Sequence, residues 1–248
     1  MKSVMNCSIL LMLLLLSGCA FMDLSSQDSA VPISPKKVSA ALVLSTGVDV
    51  SGTYYTEGPE DLEPDGLNGG LMAGFKVAGG VAPKADVIFS TSANSGHWQV
   101  NDSNGKYESN LYKLGLKYLV WTKDKHYLSV LPSVFMIDAR HRGVDDGMPR
   151  DFDYLVRGME AQLLYTYRPS QYISGSVIAR ADRYNISKTI NGTKMGPYNT
   201  GSYGLRLNLK LEAWIFHLTP EYGWEVFPIV NGETVVGKTL SLGGGIKF

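Results

Sequence analysis

Acid–base catalysis needs a histidine or a perturbed carboxylate held beside a partner, and this chain offers few places for one. Its four histidines are His97, His126, His141 and His217. His97 stands close to Asp102, and His141 precedes Asp145, Asp146 and Asp151. Either set has the residue types of an acid–histidine pair in a hydrolase. Both lie in stretches rich in Gly, Asn and Asp, where aspartate ordinarily shapes a turn, and their spacing fits no hydrolase motif. No catalytic residue is assigned, and a non-enzymatic protein is expected. Metal binding has less support still. There is no His-x-x-x-His pair, and Asp145-Asp146-Gly147 lacks the spacing of a calcium loop. No metal and no cofactor is expected. Gly243-Gly244-Gly245 is followed by no helix, so it is not a phosphate loop. Asn185-Ile186-Ser187 and Asn191-Gly192-Thr193 fit the glycosylation pattern but read as turns.

The remaining chemistry-bearing residues are charges set at every second position. Lys+Arg and Asp+Glu are equal at 23 each, which argues against a nucleic-acid partner, since phosphate neutralisation needs a basic surplus. Arg180 and Asp182, Arg206, Lys210 and Glu212, then Glu221 and Glu225 alternate with apolar residues. Spacing of two puts such residues on one face of a strand. The clearest case is Tyr203 to Ala213, with Tyr203, Leu205, Leu207, Leu209 and Leu211 on one face and Arg206, Asn208, Lys210 and Glu212 on the other.

The same alternation recurs from residue 38 onward and predicts ten strands, at about 40–56, 68–80, 85–94, 107–121, 126–140, 152–167, 171–185, 201–215, 217–228 and 234–248. Several exceed the ordinary length of soluble strands and reach the 9–11 or so residues a tilted strand needs to cross a bilayer. Short connections near 82–84, 122–125, 168–170 and 216 alternate with longer ones at 57–67, 95–106, 141–151 and 186–200. Aromatic residues gather at the short turns: Tyr118, Trp121 and Tyr127, then Tyr165, Tyr167 and Tyr172, then Trp214 and Phe216. Amphipathic rings at the headgroup level would take such places.

The N-terminus has a different character. Lys2 precedes an unbroken apolar run from Ile9 to Leu16, too short to span a bilayer as a helix, and Leu16-Ser17-Gly18-Cys19 follows. This resembles the lipobox of bacterial lipoproteins. The resemblance implies a signal peptide over 1–18 and a lipid on Cys19. Residues 19–37, Ser/Pro-containing and without apolar period, read as a flexible tether, which leaves 38–248 as the folded domain. The alternation, the loop pattern and the aliphatic–aromatic ending at Phe248 resemble bacterial outer-membrane β-barrel proteins. That resemblance implies an all-β, antiparallel, up-and-down transmembrane barrel of about ten strands. Phe248 would be the signal read by the barrel-assembly machinery. Outer-membrane lipid, that machinery and the lipoprotein-sorting machinery would be its partners, along with an unidentified surface or periplasmic protein.

In such a barrel the charged faces line the lumen. Arg180, Asp182, Arg206, Lys210, Glu212, Glu221 and Glu225 are then expected to form an interior network, with Lys210 facing Glu221 or Glu225. The expected function is a small pore, scaffold or surface-interaction module of the outer membrane, anchored by its lipid on the periplasmic side. The alternative is a lipid-tethered, soluble lipocalin-like barrel with its apolar face inward around a ligand. A hydrolase with a site at the rim is the weaker third reading. The anchor has a direct test: Cys19→Ser is expected to abolish metabolic labelling with palmitate, and normal labelling of that variant would refute the lipobox assignment.

Overall fold

The computed structural model describes residues 21–22, 28–49, 69–100, 103–145, 148–228 and 234–248. The two-residue strand β1 (Phe21–Met22) is followed by ten long ones: β2 (Val38–Asp49), β3 (Gly69–Ala82), β4 (Ala85–Val100), β5 (Ser103–Lys123), β6 (His126–Asp145), β7 (Met148–Tyr167), β8 (Ile173–Ile190), β9 (Thr193–Ala213), β10 (Phe216–Pro228) and β11 (Thr234–Lys247). Each of β2 to β11 pairs antiparallel with its sequence neighbour. β11 returns to β2, Lys247 against Ser39 through Ser241 against Ser45, and closes the barrel. Backbone bonds between Val38 and Phe248 complete the seam, at 2.8 and 3.2 Å.

The alternation settles which face is outside. On β9, Leu207 and Leu209 are 45% and 44% exposed while Arg206 is 0% exposed. The leucines therefore cover the outer wall, and the soluble barrel with an apolar interior is excluded. Pro83-Lys84, Asp124-Lys125 and Trp214-Ile215 make tight turns at one end, with Asp124 and Trp214 in the left-handed region at φ 53°. Most of the expected aromatics stand exposed beside this end, Tyr118, Trp121, Tyr165, Tyr167, Tyr172, Trp214 and Phe216 among them. Tyr127 is the exception and packs inward against the buried cluster of Ala30, Ile88, Leu131, Leu164 and Ile178.

At the far end the structure departs from the sequence reading. The expected loops 95–106, 141–151 and 186–200 are largely strand. β4 and β5 continue to Val100 against Ser103, β6 and β7 to Asp145 against Met148, and β8 and β9 to Ile190 against Thr193. Asn191 and Gly192 have φ 46° and 83°, the positive-φ pair of a two-residue hairpin whose twist matches its strands. β5 and β9 each have 21 residues, about 70 Å of extended chain, well beyond an apolar band of about 25 Å. β1 pairs with Val48 and Asp49, at this far end of β2. That is opposite the short turns beside which the N-terminal anchor is expected; Cys19 lies outside the described residues.

The surplus length shows in the side chains, because the polarity of the wall inverts along it. On β6 the outward series is Val130, Pro132, Val134 and Met136, then Asp138, Arg140 and Arg142; the inward series starts Ser129, Leu131, Ser133 and continues Phe135, Ile137, Ala139. On β7 the outward residues run Tyr165, Leu163, Ala161 and Met159, then Arg157, Leu155, Asp153 and Asp151; the inward ones run Thr166, Leu164, Gln162 and Glu160, then Gly158, Val156 and Tyr154. The two strands switch at one level, where Met136 is paired with Arg157. Below that level the barrel is apolar outside and polar inside, as lipid requires; above it the wall is polar outside and apolar inside, as water requires. A charge below the switch should therefore be costly and one at or above it should not. Leu207→Arg is expected to destabilise the protein by about 2–4 kcal/mol, and Asn199→Arg, on the outward face of the same strand in the cross-strand row of the switch itself, where Arg157 already stands, by no more than about 1 kcal/mol. Denaturant unfolding of the two variants in phospholipid vesicles checks the difference, and equal costs would refute the placement of the band.

Candidate functional site: the filled lumen

The lumen is filled in layers, and each layer follows from which residues point inward at that height. Nearest the short turns, Glu212 accepts from Arg168 at 3.0 Å and has the ammonium groups of Lys210 and Lys247 at 3.4 and 3.8 Å. Lys210 thus pairs with Glu212 on its own strand rather than with Glu221 or Glu225. Those two carboxylates belong to the Arg206 network higher in the lumen.

The next layer is made by the N-terminal segment. Residues 28–37 do not behave as part of a tether: they enter the barrel and are bound to its wall. Lys36 N–H donates to the Gly80 carbonyl and Gly80 N–H to that of Lys37, both at 3.0 Å. Ile33 N–H donates to both carboxylate oxygens of Asp86, at 3.0 and 3.1 Å. Lys117 is paired with Asp86 at 2.8 Å and donates to the carbonyls of Ser29 and Val31 at 3.0 and 3.1 Å. Ala30 is 0% exposed; its N–H donates to Thr166 Oγ1 at 2.8 Å and its carbonyl accepts from the Ser129 hydroxyl at 2.7 Å. Asp28 forms an ion pair with Lys76 at 2.6 Å, and its carbonyl accepts from Asn208 at 2.7 Å. A segment without its own apolar period is ordered here because wall side chains satisfy its backbone, which composition alone does not reveal. Ala30 also belongs to an apolar cluster with Ile88, Leu131, Leu164 and Ile178.

Above this lies the principal charge network, and it gathers five of the expected residues. Arg180 reaches Glu160 at 2.7 Å, Asp182 at 2.8 Å and Glu225 at 3.8 Å. Arg206 reaches Glu225 at 2.7 Å and Glu221 at 4.0 Å. Lys113 adds a second cation to Glu160 at 2.7 Å. The Ser202 hydroxyl lies 2.7 Å from Glu225 and 2.9 Å from Asp182, and Asn208 donates to Glu221 at 3.3 Å. Two glycines make the room. Arg206 lies opposite Gly223, and Glu225 opposite Gly204. A Cβ on Gly204 would strike the Glu225 carboxylate and one on Gly223 the Arg206 side chain. The sequence reading missed Glu160, Lys113, Lys117, Asp86 and Lys76, although each alternates with outward apolar residues as the chosen ones do.

The layer above the network is apolar: Leu111, Phe135, Ile137, Tyr154, Val156, Tyr184, Ile186 and Phe227 form a buried cluster. Lys188 caps it, its ammonium 5.1 Å from the centre of the Phe152 ring.

Of the candidate acid–histidine residues, the structure gives the strand positions of both histidines and of Asp151. His97 is on β4 opposite Lys106, and His141 is on β6 opposite Phe152. Asp151 lies opposite Arg142, which has Asp151 at 3.6 Å and Asp153 at 2.6 Å. Asp102 and Asp146 lie outside the described residues. Among the described residues no group of three or more His, Cys, Asp and Glu is placed to hold a metal. Phe248 is 64% exposed at the seam.

Neither a family model nor a curated protein matches the chain. Solved structures do. The translocator domain of the autotransporter NalP from Neisseria meningitidis aligns over 86% of this chain and 87% of its own, at 13% identity and TM-score 0.52. The outer membrane protease OmpT from Escherichia coli covers 89% of this chain and 99% of its own at 10% identity and TM-score 0.44. Ail, the attachment invasion locus protein of Yersinia pestis, covers 86% and 99% at 12% identity and TM-score 0.34. At these identities the likeness is one of fold, and the fold is that of the outer-membrane β-barrels.

Proposed function

We propose that the protein is a non-enzymatic outer-membrane barrel, acylated at Cys19, with a closed lumen and an outward-projecting β-wall that serves as a surface-interaction module. The observation that carries this reading is the continuous filling of the lumen, from Glu212 through residues 28–37 and the Arg180–Arg206 network to the aromatic layer. Ten strands enclose little free space to begin with, and a solute would have to displace buried ion pairs in the lower layers and packed apolar side chains in the uppermost one. The short turns then face the periplasm, and the long hairpins stand clear of the outer leaflet. Their outer faces carry both signs of charge, Asp138, Arg140, Arg142, Asp151 and Asp153 among them, a mixed polar surface suited to a protein or glycan contact.

Planar-bilayer recording tests the closed lumen. The full-length protein is expected to give no stepwise conductance, whereas Asp28→Ala combined with Lys117→Ala, which frees residues 28–37, should give small steps. Steady channels from the unaltered protein would overturn the reading in favour of a pore. The network has its own test. Arg206→Met leaves Glu225 and Glu221 short of a cation in a buried site, at an expected cost of about 3–5 kcal/mol. Arg206→Met with Glu225→Gln should recover part of that loss. Denaturation followed on heat-modifiability gels measures both, and a neutral single variant would show that the network does not hold the wall together.

A further inference from the structure

Two cations in the wall have no role in what has been described. Arg157 on β7 and Arg183 on β8 point outward, both are exposed, and neither has an ion-pair partner among the described residues. Both stand at the level where the polarity of the wall inverts: Arg157 is paired with Met136, and Arg183 with Met159. Arg157 lies opposite Asn185, so Arg183 is its diagonal neighbour on the adjacent strand, roughly 7–8 Å away. The nearest outward carboxylate along the ladder, Asp138, is engaged by Arg140 at 3.8 Å. Two guanidinium groups are thus left side by side, facing the membrane boundary.

The wall directly below them is concave. Pro132, Ala161 and Ala181 form one cross-strand row of small outward side chains. The row above it is Val134, Met159 and Arg183, and the row below it is Val130, Leu163 and Ala179. The low row between taller ones leaves an open groove of about 720 Å³, lined by Leu114, Val134, Met159 and Ala161 and by Arg183 at its upper edge. Apart from that arginine, its lipid-facing side chains are apolar. A groove of this kind has the width and polarity for an acyl chain. A guanidinium pair at its mouth supplies the planar donors that phosphate oxygens accept.

We infer that this face binds a phosphorylated glycolipid of the outer leaflet, with a phosphate held between Arg157 and Arg183 and an acyl chain lying along Pro132, Ala161 and Ala181. The inference rests on the outer-membrane reading with the long hairpins outward. In that orientation the switch level coincides with the headgroups of the leaflet where such lipids reside. The occupant follows from charge and shape together: a zwitterionic headgroup brings its own cation to the pair, and a soluble phosphate leaves the groove unused.

The test uses the full-length protein in nanodiscs of phosphatidylethanolamine containing a small mole fraction of bis-phosphorylated lipid A, with retained lipid counted by native mass spectrometry after transfer to detergent. The unaltered protein should retain lipid A. Arg157→Gln with Arg183→Gln should weaken retention about tenfold, and so should Ala161→Phe, which fills the groove without touching charge; a tenfold change is about 1.4 kcal/mol. Retention unchanged in both variants would overturn the inference, as would equal retention of phosphatidylglycerol at the same mole fraction. Heat-modifiability of each variant is read in parallel. Loss of that signature marks failure of the barrel itself, and lost retention with the signature intact marks loss of the site alone.

Discussion

The pair formed by Arg206 and Glu225, 2.7 Å apart and fully buried, is the contact around which the interior is organised. Each side chain crosses over a glycine of the opposite strand, so the two strands can approach while carrying long groups between them. Glu225 passes the interaction to Arg180, and Arg180 to Glu160, linking β7, β8, β9 and β10 through side chains as well as backbone. Ion pairs so buried offer little net stability over a well-packed apolar filling, yet losing one member leaves a charge without compensation. Their contribution is arrangement. A barrel interior with this network accepts one register of its strands, since a slip of a single residue would turn every one of these charges into the lipid.

Much of this was legible in the chain. The two faces of β9, the ten segments and the short turns follow from a period of two, and the charges on β8, β9 and β10 were found because leucines and alanines flanked them. Glu160, Lys113, Lys117 and Asp86 obey the same rule, flanked by Met159 and Ala161, Tyr112 and Leu114, Leu116 and Tyr118, and Ala85 and Val87, so the same alternation was the signal that could have found them. The inward Leu131, Leu164 and Ile178 look like breaks in the pattern because they serve a second core around Ala30. The far-end hairpins were misread for a related reason. Strands that leave the membrane exchange their inner and outer chemistry, so a search for one constant phase loses them at the switch. Asn191-Gly192 marked a two-residue turn in the middle of an expected fifteen-residue loop, and that dipeptide was the available signal.

Residues 28–37 illustrate a different limit. Serine, proline and the absence of a hydrophobic stripe describe a segment that cannot build a core of its own. They do not tell whether another part of the chain supplies one. Here Asp86, Lys117, Thr166 and Ser129 do so, each binding backbone rather than side chain. Recognition of that sort leaves almost no trace in the residues recognised, and its signature lies in the four wall positions that no simple lumen would require.

The position of that segment has a consequence for how the barrel is closed. The strand that completes the cylinder, β11, follows the other nine long strands in the chain, and the space it encloses is occupied by residues that precede β2. The filling and the closure are thus coupled: the segment that leads into Val38 lies inside the bore, and Val38 itself bonds Phe248 at the seam. A barrel that closed without that segment would leave Asp86, Lys117 and Asn208 facing an empty bore.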